Sequence, residues 1–310
     1  MPTLPRIVSL LPSSTEIVCG LGLEHALVGI SHECDYPASI TDRPRLTTPK
    51  IDIHADSHRI DQEVRTRISE GLSIYDIDTD QLRLLQPDLI ITQDQCEVCA
   101  VPYDEVVKAT QQILGSHVEV LSLRPTMLHD IWSDIRSIGA ATGHISQADH
   151  LLDVLFDRVK AILSDSSTIE TPPRVAVIEW IDPLILAGNW VPEMIQIAGG
   201  QDALCKVGEY SQPIEWHALQ DYDPDILLII PCGYQLGQTL AELPTLQNLP
   251  DWHNASAVRQ GRVYVVDGNA YFNRPGPRIV DSLEILAGLI HPDLFGENLS
   301  KHEQSFHHVV

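Results

Sequence analysis

Short apolar runs of strand length alternate along the chain with stretches of helical periodicity: RIVSLL, TEIVCGLG, ALVGIS, then DQLRLLQPDLIIT. That alternation predicts parallel sheets wrapped by helices. HVEVLSL extends the set, and residues 126–141, MLHDIWSDIRSIGAAT, carry the period of a further helix.

The second half repeats the first at low resolution. RIVSLLPSSTEIVCGLG has its counterpart in RVAVIEWIDPLILAGNWVPEMIQIAGG, a strand, a loop and a helix ending in glycine. QLRLLQPDLIIT has its counterpart in EWHALQDYDPDILLII, a helix running into Pro-Asp and a strand. Two matches in the same order indicate a duplicated lobe. Between the halves, residues 146–165 keep apolar positions at 148, 151, 152, 155, 159, 162 and 163, a helical period sustained over about five turns. The segment TIETPPR then restarts the chain as a strand. The expected organisation is an N-terminal α/β lobe over 1–141, a connecting helix over 142–168, a C-terminal α/β lobe over 169–296 and a flexible polar tail over 297–310.

At 310 residues and 34.4 kDa there is room for two lobes, and a composition of 44% hydrophobic and 20% charged residues excludes general disorder. Asp and Glu total 43 against 20 Lys and Arg, a formal charge of -23 with no basic patch, which excludes nucleic acid as a partner. The first residues, MPTLPRIVSLLPSSTEIVCGLG, show no basic segment followed by a long apolar run and a cleavage site, and RIVSLL reads as a first strand. The expectation is a cytoplasmic protein with no membrane insertion. In a reducing compartment its 6 cysteines are not structural disulfides, and attention moves to metal binding, reactivity or burial.

In open parallel sheets, ligands bind outside the carboxyl ends of the strands. Four loops at such positions are chemically unusual: HECDYP at 32–37, QDQCEVCAV at 93–101, PCGY at 231–234 and GNAYFNRPGPR at 268–278. The repeat places Cys96 and Cys99 on one lobe and Cys232 on the other at equivalent loops, with Cys34 joining from a neighbouring strand. With Cys34 and either Cys232 or His32, the Cys96-x-x-Cys99 pair meets the four-ligand count of a zinc or iron–sulfur site. The helical segment after Cys99 equally suits a redox pair, and incidental loop thiols are the third reading.

On the last loop, Tyr271 and Phe272 offer aromatic faces while Arg274 and Arg278 offer forked donors, a set that suits a large, flat, carboxylate- or amide-bearing ligand. Trp190 and Trp216 supply further candidate ligand walls. No phosphate-loop, dinucleotide-binding, nucleophile-elbow or zincin signature is present, and His32 is the best of a weak set of candidate bases. The residues therefore favour binding of a small molecule over catalysis.

RIVSLLPSSTEIVCGLGL, LVGISHECDYP, PDLIIT, the long connecting helix and the closing aromatic-Arg-Pro-Arg loop together resemble the cobalamin-type substrate-binding proteins of ABC importers, over residues 6–292. The resemblance implies two Rossmann-like parallel-sheet lobes joined by one long rigid helix, with the ligand, cobalamin or another corrinoid, in a cleft between them. It places Tyr36 of the DYP motif on the cleft wall, and it maps the family's last loop onto Phe272, Arg274, Pro277 and Arg278. Two departures stand out: no leader precedes the first strand, which leaves docking to an ABC permease without support, and cysteines occupy the cleft positions. The chain looks closest to a leaderless branch of the family.

Overall fold

Strands that are buried on both faces read as near-continuous apolar runs, and the central strands IVS, LIITQ and ILLI are apolar at most positions. The computed structural model describes residues 4–94, 103–115 and 118–309. It divides the chain into two units: Met1–Ala55, Arg59–Pro125 and His129–Val154 form the first, while Asp56–His58, Thr126–Leu128 and Leu155–Val310 form the second.

In the first unit β1 (Ile7–Ser9), β2 (Leu27–Ile30), β5 (Leu89–Gln93) and β6 (Glu119–Leu123) form a parallel sheet in the order β2-β1-β5-β6. All five residues of β5 are buried. A separate antiparallel pair joins β3 (Thr47–Pro49) to β4 (Tyr75–Ile77). Helices Pro12–Gly20, Thr79–Leu85 and Tyr103–Ile113 fall between the strands as the periodicity predicts.

In the second unit the order is β12-β11-β10-β7-β8-β9, comprising β7 (Val175–Trp180), β8 (Ile185–Leu186), β9 (Gln212–Pro213), β10 (Ile226–Ile229), β11 (Val263–Val266) and β12 (Phe306–His308). Only β7, β10 and β11 pair in parallel, so this sheet is mixed where a parallel one was expected. The segment read as a loop after RVAVIEW turns back as the short strand β8 before helix Val191–Ile197 begins. The connecting helix is Ile145–Ser166, 22 residues long, and the division between units falls within it, after Val154. Among the described residues no helix is long and apolar enough to cross a membrane.

The tail is a correction. Residues 297–310 were expected to be flexible, yet within them 297–300 complete helix Pro292–Ser300 and 306–308 form β12, antiparallel to β11. His308 stacks on Tyr264 with ring centroids 5.1 Å apart, and its Nε2 bonds to the Gly261 carbonyl. A short polar strand on a sheet edge has no apolar alternation to announce it.

The repeat extends to individual atoms. In the first unit the Arg6 N–H donates to Asp88 Oδ2 at 2.8 Å, and in the second the Arg174 N–H donates to Asp225 Oδ2 at 2.9 Å. Each arginine then caps the helix that precedes the aspartate: Arg6 Nη2 donates to the Leu85 carbonyl at 2.7 Å and Arg174 Nη1 to the Tyr222 carbonyl at 2.8 Å. Both helices end on a left-handed residue, Gln86 and Asp223, followed by Pro-Asp. These cationic caps satisfy carbonyls that have no intrahelical partner.

Replacing Asp225 by alanine leaves the Arg174 N–H without its acceptor, with an expected cost of about 1–3 kcal/mol in urea unfolding. Asp225→Asn keeps an acceptor oxygen and recovers part of that loss; equal losses for the two variants would show that the hydrogen bond is not what stabilises the unit.

Candidate functional site

The loops at the carboxyl ends of the parallel strands carry the candidate residues. After β1, Leu11 is extended and Pro12 opens the helix Pro12–Gly20, so the hydroxyls of SLLPSST turn inward. Ser9 Oγ lies 2.6 Å from Ser14 Oγ and accepts from Thr15 Oγ1 at 2.7 Å. Thr15 Oγ1 in turn lies 3.1 Å from Cys34 Sγ. Ser9, Ser14, Thr15 and Cys34 are all fully buried, at 0% exposure. The most distinctive stretch of the first lobe is therefore a buried hydroxyl–thiol network that fastens the loop after β2 to the helix after β1. Cys34, a candidate metal ligand from the sequence, is a buried member of this network.

That loop presents two other candidates. Tyr36 is 48% exposed. His32 is half-buried; its ring Nδ1 lies 2.7 Å from Thr47 Oγ1, and Arg45 grips its backbone carbonyl. Burial, assisted by the Arg45 charge, pushes the His32 pKa down to about 4. Cys96 and Cys99 lie outside the described residues.

In the second unit the loop from Asp267 to Arg278 is pinned from several sides. The Asn273 side-chain amide donates to the Ile230 carbonyl at 3.0 Å and to the Gly268 carbonyl at 2.9 Å. Any side chain at Gly268 would meet the Pro231 carbonyl at 2.1 Å, so only glycine permits this approach to the PCGY loop. Phe272 is fully buried, and Trp190, also buried, donates its Nε1–H to the Phe272 carbonyl at 2.7 Å. Both were expected on a ligand wall, and both are buried packing residues. Arg274 is buried as well and donates to Asn269 Oδ1 at 2.9 Å.

Tyr271 and Arg278 remain partly exposed, with the guanidinium 5.7 Å from the ring centroid in cation–π contact. Trp216 stacks on Trp252 at 5.8 Å and donates to the Pro250 carbonyl at 2.7 Å. Cys232 is half-buried, and its backbone N–H donates to the Glu179 carbonyl at 3.1 Å.

One cluster in this unit has no counterpart in the sequence reading. Ser57 donates its N–H and hydroxyl to the two oxygens of Glu242 at 2.9 and 2.5 Å, Tyr234 adds a third donor at 2.8 Å, and Trp180 Nε1 donates to the Ser57 carbonyl at 3.2 Å. Burial, followed by Glu242, pushes the Tyr234 phenol up. Ser57 and Glu242 are 185 positions apart, and no local pattern links them.

The family model for periplasmic binding proteins matches residues 7–270. The chain belongs to the periplasmic binding protein family. An uncharacterised ABC transporter substrate-binding lipoprotein of Bacillus subtilis, YvrC, is 23% identical to this binding protein over 94% of the chain and 82% of its own length. Among solved structures, the periplasmic vitamin B12 binding protein BtuF of Vibrio cholerae is similar at a TM-score of 0.67 and 18% identity, covering 93% of this chain and 97% of its own. The periplasmic haem-binding protein RhuT of Roseiflexus is similar at a TM-score of 0.68 and 21% identity, covering 94% and 99%. The fold is that of the two-lobed α/β substrate-binding proteins. The expected cytoplasmic location is overturned, because the family is one of periplasmic proteins and the curated relative is a lipoprotein.

Among the described residues, the group of metal-ligating side chains that lies closest together is none of those expected but Asp281, Glu284 and His302. A cation already sits there. Arg158 Nη2 lies 2.6 Å from Asp281 Oδ1 and 2.8 Å from Glu284 Oε2, and His302 Nε2 lies 3.2 Å from the latter oxygen. Burial opposes ionisation of Glu284, but hydrogen bonds from His302 and Arg158 outweigh it and bring the carboxyl down to about 2. The network fits a structural tie between the connecting helix, helix Ile279–Ile290 and the C-terminal segment.

A carboxyl depressed in the folded state stabilises it above the unfolded value near 4.3, and the contribution disappears as pH falls through the folded value. The stability gap between the parent chain and Glu284→Gln is expected to be on the order of 3 kcal/mol at pH 7 and to close between about pH 5 and 2. Denaturation curves across that range check it; a gap independent of pH would exclude the ion network as its source.

Proposed function

We propose that this chain is a non-catalytic, exported binding protein for a metal chelate of the corrinoid or related tetrapyrrole class, serving an ABC importer. The observation that carries the reading is the family match over residues 7–270, which spans both repeated halves. It is supported by the similarity in fold to binding proteins for vitamin B12 and for haem, and by the sequence relationship to a transporter lipoprotein. It is also supported by side chains that are wholly or partly exposed on the strand-end loops. Tyr36 and Tyr271 offer flat apolar faces, and Arg278 offers a fixed fork of donors for carboxylate or amide arms.

Phe272, Trp190 and Arg274 act in this reading from below, holding the loop that presents Tyr271 and Arg278. Trp216 stands with Trp252 as a second aromatic platform.

The test is titration of the purified chain with cyanocobalamin, hemin and ferric siderophores, read by absorption spectrum and melting temperature. A saturable spectral change with one of the first two is expected. The folded state should gain about 2.7 kcal/mol at a free ligand concentration of 100 times Kd. Arg278→Ala should weaken that complex about tenfold by removing a charge-assisted hydrogen bond. No spectral change and no melting shift with the whole panel would contradict the assignment.

A further inference from the structure

The ring of His32 has one nitrogen fully accounted for and one not. The His32 backbone N–H donates to Thr47 Oγ1 at 2.9 Å, so that oxygen serves as an acceptor. The hydroxyl hydrogen of Thr47 then needs an acceptor of its own, and the His32 ring Nδ1 lies 2.7 Å away. A hydroxyl oxygen can accept twice, but only the arrangement in which Nδ1 accepts pairs the Thr47 hydrogen among the described residues; that arrangement puts the proton of the neutral ring on Nε2. The ring is held in place as well as in tautomer: Arg45 fastens the His32 carbonyl, and Tyr75 packs beside the imidazole at 5.3 Å between centroids.

Nε2 is buried and has no hydrogen-bond partner among the described residues. The carboxylate of Glu33 is the nearest charged group, with Oε1 at 3.9 Å, beyond hydrogen-bond range. A buried donor without an acceptor is costly, and native structures leave few of them. This one lies on a strand-end loop, two residues before Cys34 and four before Tyr36, beside the Glu33 side chain, which is 36% exposed.

We propose that His32 is a specificity donor: its Nε2–H is held ready for an oxygen on a side arm of the bound ligand, amide or carboxylate, and the residue is not a metal ligand. Ligation would need the Nε2 lone pair, which this tautomer does not have. The inference rests on the proposed function and assigns a role within it.

The tautomer is read directly from the side-chain nitrogen shifts of His32 in the 15N-labelled, ligand-free chain. A protonated Nε2 and bare Nδ1 are expected, and the reverse would overturn the proposal. Binding of cyanocobalamin, whose arms end in amides, and hemin, whose arms end in carboxylates, is then compared in the parent chain, His32→Phe and Thr47→Val. Loss of one good hydrogen bond should weaken the parent's preferred ligand about tenfold in His32→Phe, with a smaller loss in Thr47→Val as the proton lock is released. The Hε2 resonance of the parent should shift downfield on binding. Unchanged affinity in a folded His32→Phe, or a histidine-ligated metal spectrum that this variant abolishes, would overturn the proposal alone. A parent chain that binds neither compound overturns the functional reading and this one with it.

Discussion

Each unit rests on one small contact made twice: a backbone N–H just before the first strand, given to the carboxylate that opens the parallel strand beside it. Arg6 with Asp88 sets β1 against β5, and Arg174 with Asp225 sets β7 against β10. The return bonds follow at once, with Asp88 N–H to the Arg6 carbonyl and Asp225 N–H to the Arg174 carbonyl, both at 2.8 Å. Because side chains alternate along a strand, a slip of one residue here would turn every inward group outward. The guanidiniums that cap the preceding helices fix the same corner a second time. Arg174 holds the Asp225 carboxyl below its usual range, as a partner of an ionised donor should.

With register settled at the amino ends of the strands, the loops at their carboxyl ends inherit their positions. Two layers can be told apart there. The inner layer is fastened from within: the buried Ser9–Ser14–Thr15–Cys34 network in the first unit, and in the second the buried Trp190, Phe272 and Arg274 with the partly buried Asn273. The outer layer is what that scaffold presents, Tyr36 on one unit and the Tyr271–Arg278 pair on the other. A binding site gains affinity when its contact groups are ordered before the ligand arrives, and under the proposed function the inner layer would supply that order.

The repeat, the parallel strands and the connecting helix were legible because each depends on local pattern: apolar runs, helical period and the Pro-Asp that recurs before β5 and β10. The antiparallel flanks of the second sheet were not, since β8, β9 and β12 are two or three residues long and their pairing is decided by partners far along the chain. Phe272 misled for a different reason. An aromatic beside Arg and Pro on a loop looks like a ligand contact, yet its backbone adopts a φ of 65° that turns the ring into the core. The contact between Thr15 and Cys34 was out of reach as well, because a thiol's hydrogen-bond partners do not show in sequence. The cytoplasmic expectation was overturned by relatives, not by residue chemistry.

The central claim is that the strand-end loops of this periplasmic binding protein are where a metal chelate is held. Hydrogen–deuterium exchange with and without saturating cyanocobalamin or hemin tests it most directly. The account predicts slowed exchange concentrated in residues 31–37 and 268–278, with the amino ends of the strands near Arg6 and Arg174 unaffected. Protection spread evenly over the chain, or confined to segments away from those loops, would contradict it.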